Sequence, residues 1–179
     1  MLRLFVALSL PEAVRAQLNG IAGRLSAARW LDRDSYHITL RFIGEIDGGL
    51  AGDLADELAG LDGRGFELSL AGLGHFGDGP KARALWARVE KTEPLLRLQQ
   101  KVEQALRRAG CKPERRRFTP HVTLARLYNT PPDALYSFIL RHSLLRLGPF
   151  PVKDFVLYRS FLRGEGALYR AEAVYPLAA

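Results

Sequence analysis

His37-Ile38-Thr39-Leu40 and His121-Val122-Thr123-Leu124 are one four-residue pattern written twice. The chain of 179 residues holds only 4 histidines and 5 threonines. Scattered at random, two of the four histidines would carry Thr at +2 in roughly one sequence in 200, before the matching aliphatic residues are counted. One functional unit used twice is the simpler reading. Ile, Val, Thr and Leu around a His read as a β-strand. Successive side chains on a strand alternate faces. His37 and Thr39 therefore share one face, with Ile38 and Leu40 on the other. The same holds for His121 and Thr123 against Val122 and Leu124. Each strand would bury its aliphatic pair and present an imidazole and a hydroxyl, their α-carbons about 6 to 7 Å apart.

Working outward from these strands, residues 2–9 read as a strand, and Pro11 opens a helix running to about Arg24. The first motif strand covers 37–43, and a helix follows over 50–59. Residues 66–70 alternate as a strand. Gly72, Gly74, Gly77, Gly79 and Pro80 predict a flexible loop, and 83–90 another strand. Pro94 sits in the first turn of a helix reaching Ala109, with Gly110 just past its end. The second motif strand is 121–126, and Pro131-Pro132 open a helix of about ten residues. Strands at 152–158 and 168–175 flank a turn at 164–166. This mixture predicts an α+β fold. The two motifs are separated by nearly half the chain, which predicts two related lobes, a sheet in each, and one cleft between them. The whole of 1–179 reads as a single domain of two interlocked lobes, with no linker or composition break.

The bulk numbers narrow the function classes. Apolar residues make up 47% and charged residues 25%, an ordinary globular composition able to bury a core without staples. The single cysteine, Cys111, allows no intramolecular disulfide, which fits a reducing cytoplasm. The apolar run after Met1 is too short for a membrane span and lacks the layout of a signal peptide, so a cytoplasmic, membrane-free protein is expected. A net charge of +7 favours polyanionic partners such as RNA or nucleotides.

Zinc chemistry lacks a ligand pattern, since there is no Cys-x-x-Cys or His-Glu-x-x-His. There is no Gly-x-Ser-x-Gly elbow or P-loop, and the glycine spacing at Gly72, Gly74 and Gly77 leads into a loop and a strand rather than the helix a dinucleotide fingerprint opens. His75 and His142 have no Thr at +2 and read as structural. Lys112, Arg115, Arg116 and Arg117 form a basic run just before the second motif, readable as a solvated loop or as an electrostatic funnel. Arg41 shares strand parity with His37 and Thr39, which would let it reach a phosphate. Arg126 has the opposite parity to His121, unless the strand bulges first. Trp30 and Trp86 read as packing residues.

The paired motifs resemble those of the two-histidine phosphoesterase superfamily. Arg3-Leu4-Phe5-Val6-Ala7-Leu8, Trp30, Tyr36 through Gly44, Arg83-Ala84-Leu85-Trp86, Phe118 through Arg126 and Leu157-Tyr158-Arg159-Ser160 resemble one branch of it. That branch is the RNA 2′,3′-cyclic phosphodiesterases, also called 2′–5′ RNA ligases. The resemblance implies two pseudo-symmetric lobes, each an antiparallel-rich sheet with helices outside, around a central cleft carrying both motifs. It implies hydrolysis of a terminal 2′,3′-cyclic phosphate, on RNA 3′ ends or nucleotides, to a 2′-phosphate, without metal or other cofactor. By the same resemblance His121 is the base that takes the water proton and His37 the acid that protonates the leaving 3′ oxygen. Thr39 and Thr123 would hydrogen-bond the non-bridging oxygens; Arg41, by its parity, and Arg126, given a bulge, are candidate further substrate contacts. A monomer is expected. Joining of tRNA halves in the 2′–5′ sense and non-catalytic binding of RNA ends stay open as alternatives.

Overall fold

The computed structural model describes residues 1–164 and 166–179. Among the described residues, nine strands and four α-helices follow in the order β1 (Leu2–Ser9), α1 (Glu12–Asn19), β2 (Ala28–Trp30), β3 (His37–Ile46), α2 (Gly48–Ala59), β4 (Phe66–Phe76), β5 (Ala84–Val89), α3 (Glu93–Arg108), β6 (His121–Leu127), α4 (Pro132–Arg141), β7 (Arg146–Val152), β8 (Asp154–Arg163) and β9 (Gly166–Pro176). They build two antiparallel sheets. One has strand order β3-β1-β8-β9 and the other β2-β6-β5-β4-β7. The expected α+β class with two sheets is what the chain adopts. Helices α2 and α3 pack on the first sheet through β9 and β3, and α1 and α4 on the second through β7 and β4. No helix among the described residues is long and apolar enough to cross a membrane.

Local chemistry explains the helix ends. The Asp47 carboxylate accepts from Leu50 N at 2.9 Å and caps α2. The Thr92 hydroxyl caps α3 by accepting from Leu95 N at 3.4 Å. Leu95, Leu98, Val102, Ala105 and Leu106 then recur at helical spacing and are all buried. Gly110, at φ 103°, stops the helix.

Two expectations need correction, and two strands lie outside any expectation. The first helix ends at Asn19 rather than near Arg24, because Gly20 closes it and Gly23 turns the chain at φ 108°. The glycine segment from Gly72 is mostly strand: β4 runs on to Phe76, and Gly74 serves to let the Trp86 indole lie flat against it. Strand β7 starts at Arg146 despite Pro149 and Pro151. It forms the edge of its sheet, where a missing N–H costs nothing. The three-residue β2 gave no sequence signal, since its pairing partner β6 is distant in the chain. The turn at 164–166 includes residue 165, which lies outside the described residues.

The core runs between the sheets and their helices. Leu4, Val6 and Leu8 of β1 point into it, as do Ile38 and Leu40 of β3 and Val122 and Leu124 of β6. The alternate residues of these strands face the cleft.

Candidate active site

The two motif strands sit at matching places. β3 pairs with β1 and β6 with β5, and both pairs carry a β-bulge at the leucine of the motif. Opposite β1, the register skips Leu40 between Thr39 and Arg41, and opposite β5 it skips Leu124 between Thr123 and Ala125. A bulge puts one extra residue into a strand and reverses its parity from there on. Cross-strand partners share a face. Arg41 therefore lies opposite core-facing Val6, and Phe42 lies opposite cleft-facing Phe5. The same reversal brings Arg126 to the cleft, opposite Ala84.

The expectation for Arg41 rested on unbroken alternation and is corrected here. Its Nε donates to Glu103 at 2.6 Å, one terminal nitrogen donates to the Phe42 carbonyl, and the other to the Lys112 carbonyl at 2.5 Å. It reaches the cleft wall with its guanidinium already bonded. Arg126 turns the other way: the bulge that its parity required is present, and it lines the cleft beside Thr123.

The cleft has two connected parts. A cavity of about 240 Å³ is lined by His37, Thr39, Phe42, Thr123, Arg126 and Tyr169, among others. A larger one of about 460 Å³ shares Thr39, Phe42, Thr123 and Arg126 and adds His121 with the loop that precedes it. All four motif side chains and Arg126 thus border one continuous space. His75 and His142 are elsewhere. His75 bonds the Gly77 carbonyl and stacks edge-on with Tyr136, and His142 bonds the Phe138 carbonyl.

Each motif histidine is held the same way. His37 Nδ1 is 2.7 Å from the Ser35 carbonyl, and His121 Nδ1 is 2.6 Å from the Thr119 carbonyl. A carbonyl only accepts, so each Nδ1 carries the proton and donates it. That leaves each Nε2 as the atom that gains or loses a proton. His37 Nε2 lies 3.0 Å from the Thr39 hydroxyl. Aromatic rings surround both imidazoles. Phe5 is 4.9 Å and Tyr169 5.1 Å from His37, and Phe76 is 4.9 Å and Trp86 5.6 Å from His121, centroid to centroid.

Burial pushes both histidines below the ordinary value near 6.5, because a buried imidazolium loses hydration. The carbonyl bond opposes this in each, since it favours the charged form. His37 is lowered further by the charge of His121. The mutual repulsion favours states with one proton on the pair rather than two.

The basic run is a clasped segment. Glu114 accepts from the backbone nitrogens of Arg115 and Arg116 at 2.9 Å each and from the Arg116 side chain at 3.1 Å. Its own N–H donates to Glu103 at 3.0 Å. The Arg116 bonds hold the Glu114 carboxyl down at about 2. Arg116 and Arg117 line the larger cavity together with Arg83. The segment ends at Thr119, the residue that orients His121. Glu114 and the aromatic rings are the site-building residues that sequence reasoning passed over. Tyr158, whose ring centroid is 6.4 Å from that of His37, and Phe5 lay within stretches that carried the family resemblance, but nothing in their spacing marked them as neighbours of His37. Trp30 packs on Phe138, and Trp86 on Gly74 and Phe76.

The sequence model of the 2′-5′ RNA ligase superfamily matches residues 10–160. A relative in Geobacillus stearothermophilus named RNA 2′,3′-cyclic phosphodiesterase is 30% identical over 97% of this chain. The chain spans 56% of that relative's length. One of the same name in Aeropyrum pernix is 33% identical over 78% of this chain and 81% of its own. The crystal structure of Escherichia coli LigT complexed with 3′-AMP has the same fold, with a TM-score of 0.79, 24% identity and 99% of each chain covered.

Proposed function

The chain belongs to the 2′-5′ RNA ligase superfamily, and from that premise we propose that it is an RNA 2′,3′-cyclic phosphodiesterase. Its substrates are RNA 3′ ends or nucleotides carrying a 2′,3′-cyclic phosphate, and its product is the 2′-phosphate. One observation carries the reading: two imidazoles, each fixed at Nδ1 by a backbone carbonyl, border one cleft with their Nε2 atoms left to exchange protons.

Opening the cyclic ester forms a bond from a water oxygen to phosphorus and breaks the bond from phosphorus to the 3′ oxygen. Attack is in line, so the entering and leaving oxygens lie on opposite sides of phosphorus. One residue cannot easily serve both, whereas two histidines can. His121 Nε2 takes the water proton, and His37 Nε2 gives a proton to the 3′ oxygen, which leaves as a hydroxyl. The repulsion between the two imidazoles supports the state this needs, one neutral and one protonated. The Thr39 and Thr123 hydroxyls donate to the non-bridging oxygens, where charge builds up, and Arg126 adds a cation beside them.

The test is incubation with RNA ending in a 2′,3′-cyclic phosphate, without ATP, followed by identification of the ends. A 2′-phosphate with a free 3′-hydroxyl is expected. Unchanged cyclic ends, or a 3′-phosphate product, would overturn the proposal.

A further inference from the structure

Between β2 and the turn end of the β8–β9 hairpin lies another cavity of about 460 Å³. It opens into the catalytic cleft, because Leu31, Ser35, Arg126, Leu162, Ala167 and Tyr169 line both. Its size falls in the range of about 300–1,000 Å³ usual for small-ligand sites. Beyond the shared residues, its walls include Arg29, Arg163 and Tyr128.

The charges on these walls are arranged at a cost. Arg29 stands directly opposite Arg126 in the β2–β6 ladder. Like charges at such positions repel. Among the described residues, no carboxylate bonds to Arg29, Arg126 or Arg163. Among the described residues, one carboxylate, Asp32, lines the cavity against three guanidiniums. An anion between Arg29 and Arg126 would relieve the repulsion and accept planar, forked hydrogen bonds. The Tyr128 ring, 56% exposed, offers a face on which a base can stack.

Resting on the RNA-end reading above, we propose that this cavity binds the nucleotide that precedes the reacting end of an RNA chain. Arg29 and Arg163 take its phosphate, and Tyr128 takes its base.

The experiment reads binding without turnover. The probes are uridine 2′-monophosphate and an RNA trinucleotide ending in a 2′-phosphate. The proteins are wild type, the Arg29→Ala/Arg163→Ala double variant, Tyr128→Ala and Arg170→Ala. Arg170 is the control. It is exposed and pairs with Arg159 as a second like-charge pair on the opposite face of the same hairpin, so its loss removes one charge away from the groove. All substituted positions are exposed, and a thermal melt checks folding. In the double variant and in Tyr128→Ala, trinucleotide affinity should fall at least about 5-fold relative to mononucleotide affinity, the low end of what one stacked base contributes. The double variant should also lose about 0.7 of salt slope for each phosphate contact removed. Arg170→Ala should keep the wild-type ratio. Equal losses on both probes would assign the cavity to the terminal nucleotide and overturn the proposal, as would an unchanged ratio. If wild type fails to open cyclic ends, the reaction proposed above falls, while the affinity ratio still decides this subsite.

Discussion

An imidazole whose Nδ1–H is committed to a backbone carbonyl exchanges protons at Nε2, and both motif histidines are held in that way. His37→Ala and His121→Ala should each lower turnover of a cyclic mononucleotide by at least about 10²-fold, the lower end of a general acid–base contribution. Near-normal turnover in either variant, with its fold checked by circular dichroism, would remove that residue from the mechanism. The direction of the two shifts sets the pH dependence. Both histidines titrate below the ordinary 6.5, and the reaction needs one proton on the pair. The profile of kcat/KM should therefore peak below about pH 6.5 and fall on the alkaline side as the acid histidine loses its proton. A maximum above pH 7 would contradict the assignment. Stability follows the same sign. Below about pH 6.5 the unfolded chain binds more protons at these positions than the folded one, so stability falls as pH drops through the lowered values. A thermal melt in buffers from pH 7 to 5 should show it, and His37→Ala should flatten the trend. Thr39→Val and Thr123→Val keep shape and remove a donor, so each should slow turnover about 10-fold or more if its hydroxyl meets the developing charge.

At the scale of elements, the bulge in each motif strand decides which neighbours reach the cleft. It turns Arg41 toward α3 and Glu103, and it turns Arg126 inward. Arg41 and Glu114 then clasp the segment from Lys112 to Thr119. Because Thr119 holds His121 Nδ1, the clasp reaches the chemistry. Glu114→Gln should lower kcat several-fold on a cyclic mononucleotide and on RNA alike. A loss confined to RNA would mean that the segment serves only to attract the chain. With its carboxyl held at about 2, Glu114 stays charged across the assay range, so the acid limb of the pH profile reports the histidines. Gly74 makes a similar point about packing. A methyl there would run into the Trp86 indole, which flanks His121. Gly74→Ala should cost about 1–3 kcal/mol of stability, read by denaturant unfolding. It should also slow turnover by displacing Trp86.

For the molecule as a whole, two sheets of different size place equivalent strands around one cleft, so each sheet supplies one His-x-Thr pair. Among the described residues, no three His, Cys, Asp or Glu side chains group so as to hold a metal ion. Hydrolysis should therefore persist in EDTA. Activity lost to chelation and restored by zinc or manganese would overturn the two-histidine mechanism. The net charge of +7 is spread unevenly. Arg41 and Arg116 are committed to carboxylates, whereas no carboxylate among the described residues bonds to Arg29, Arg126 or Arg163. Long-range attraction of a polyanion follows from the total, but where it lies depends on which cations are unpaired.

The sequence by itself determined the two motif strands, their cleft-facing His and Thr side chains, and the α+β class. Those features depend on the two-residue period of a strand and on local helix signals, which a linear reading captures. It also exposed the repeat that implied two lobes. Only the tertiary structure decided Arg41 against Arg126, the course of β4 beyond Gly72, and the existence of β2 and β7. Each of these depends on a partner distant in the chain. A bulge is defined by the strand opposite it, an edge strand by the neighbour it lacks, and a glycine's role by the ring that lies on it. Arg29 shows the limit plainly: nothing near it in sequence marks it, and its meaning comes from Arg126 standing across the ladder.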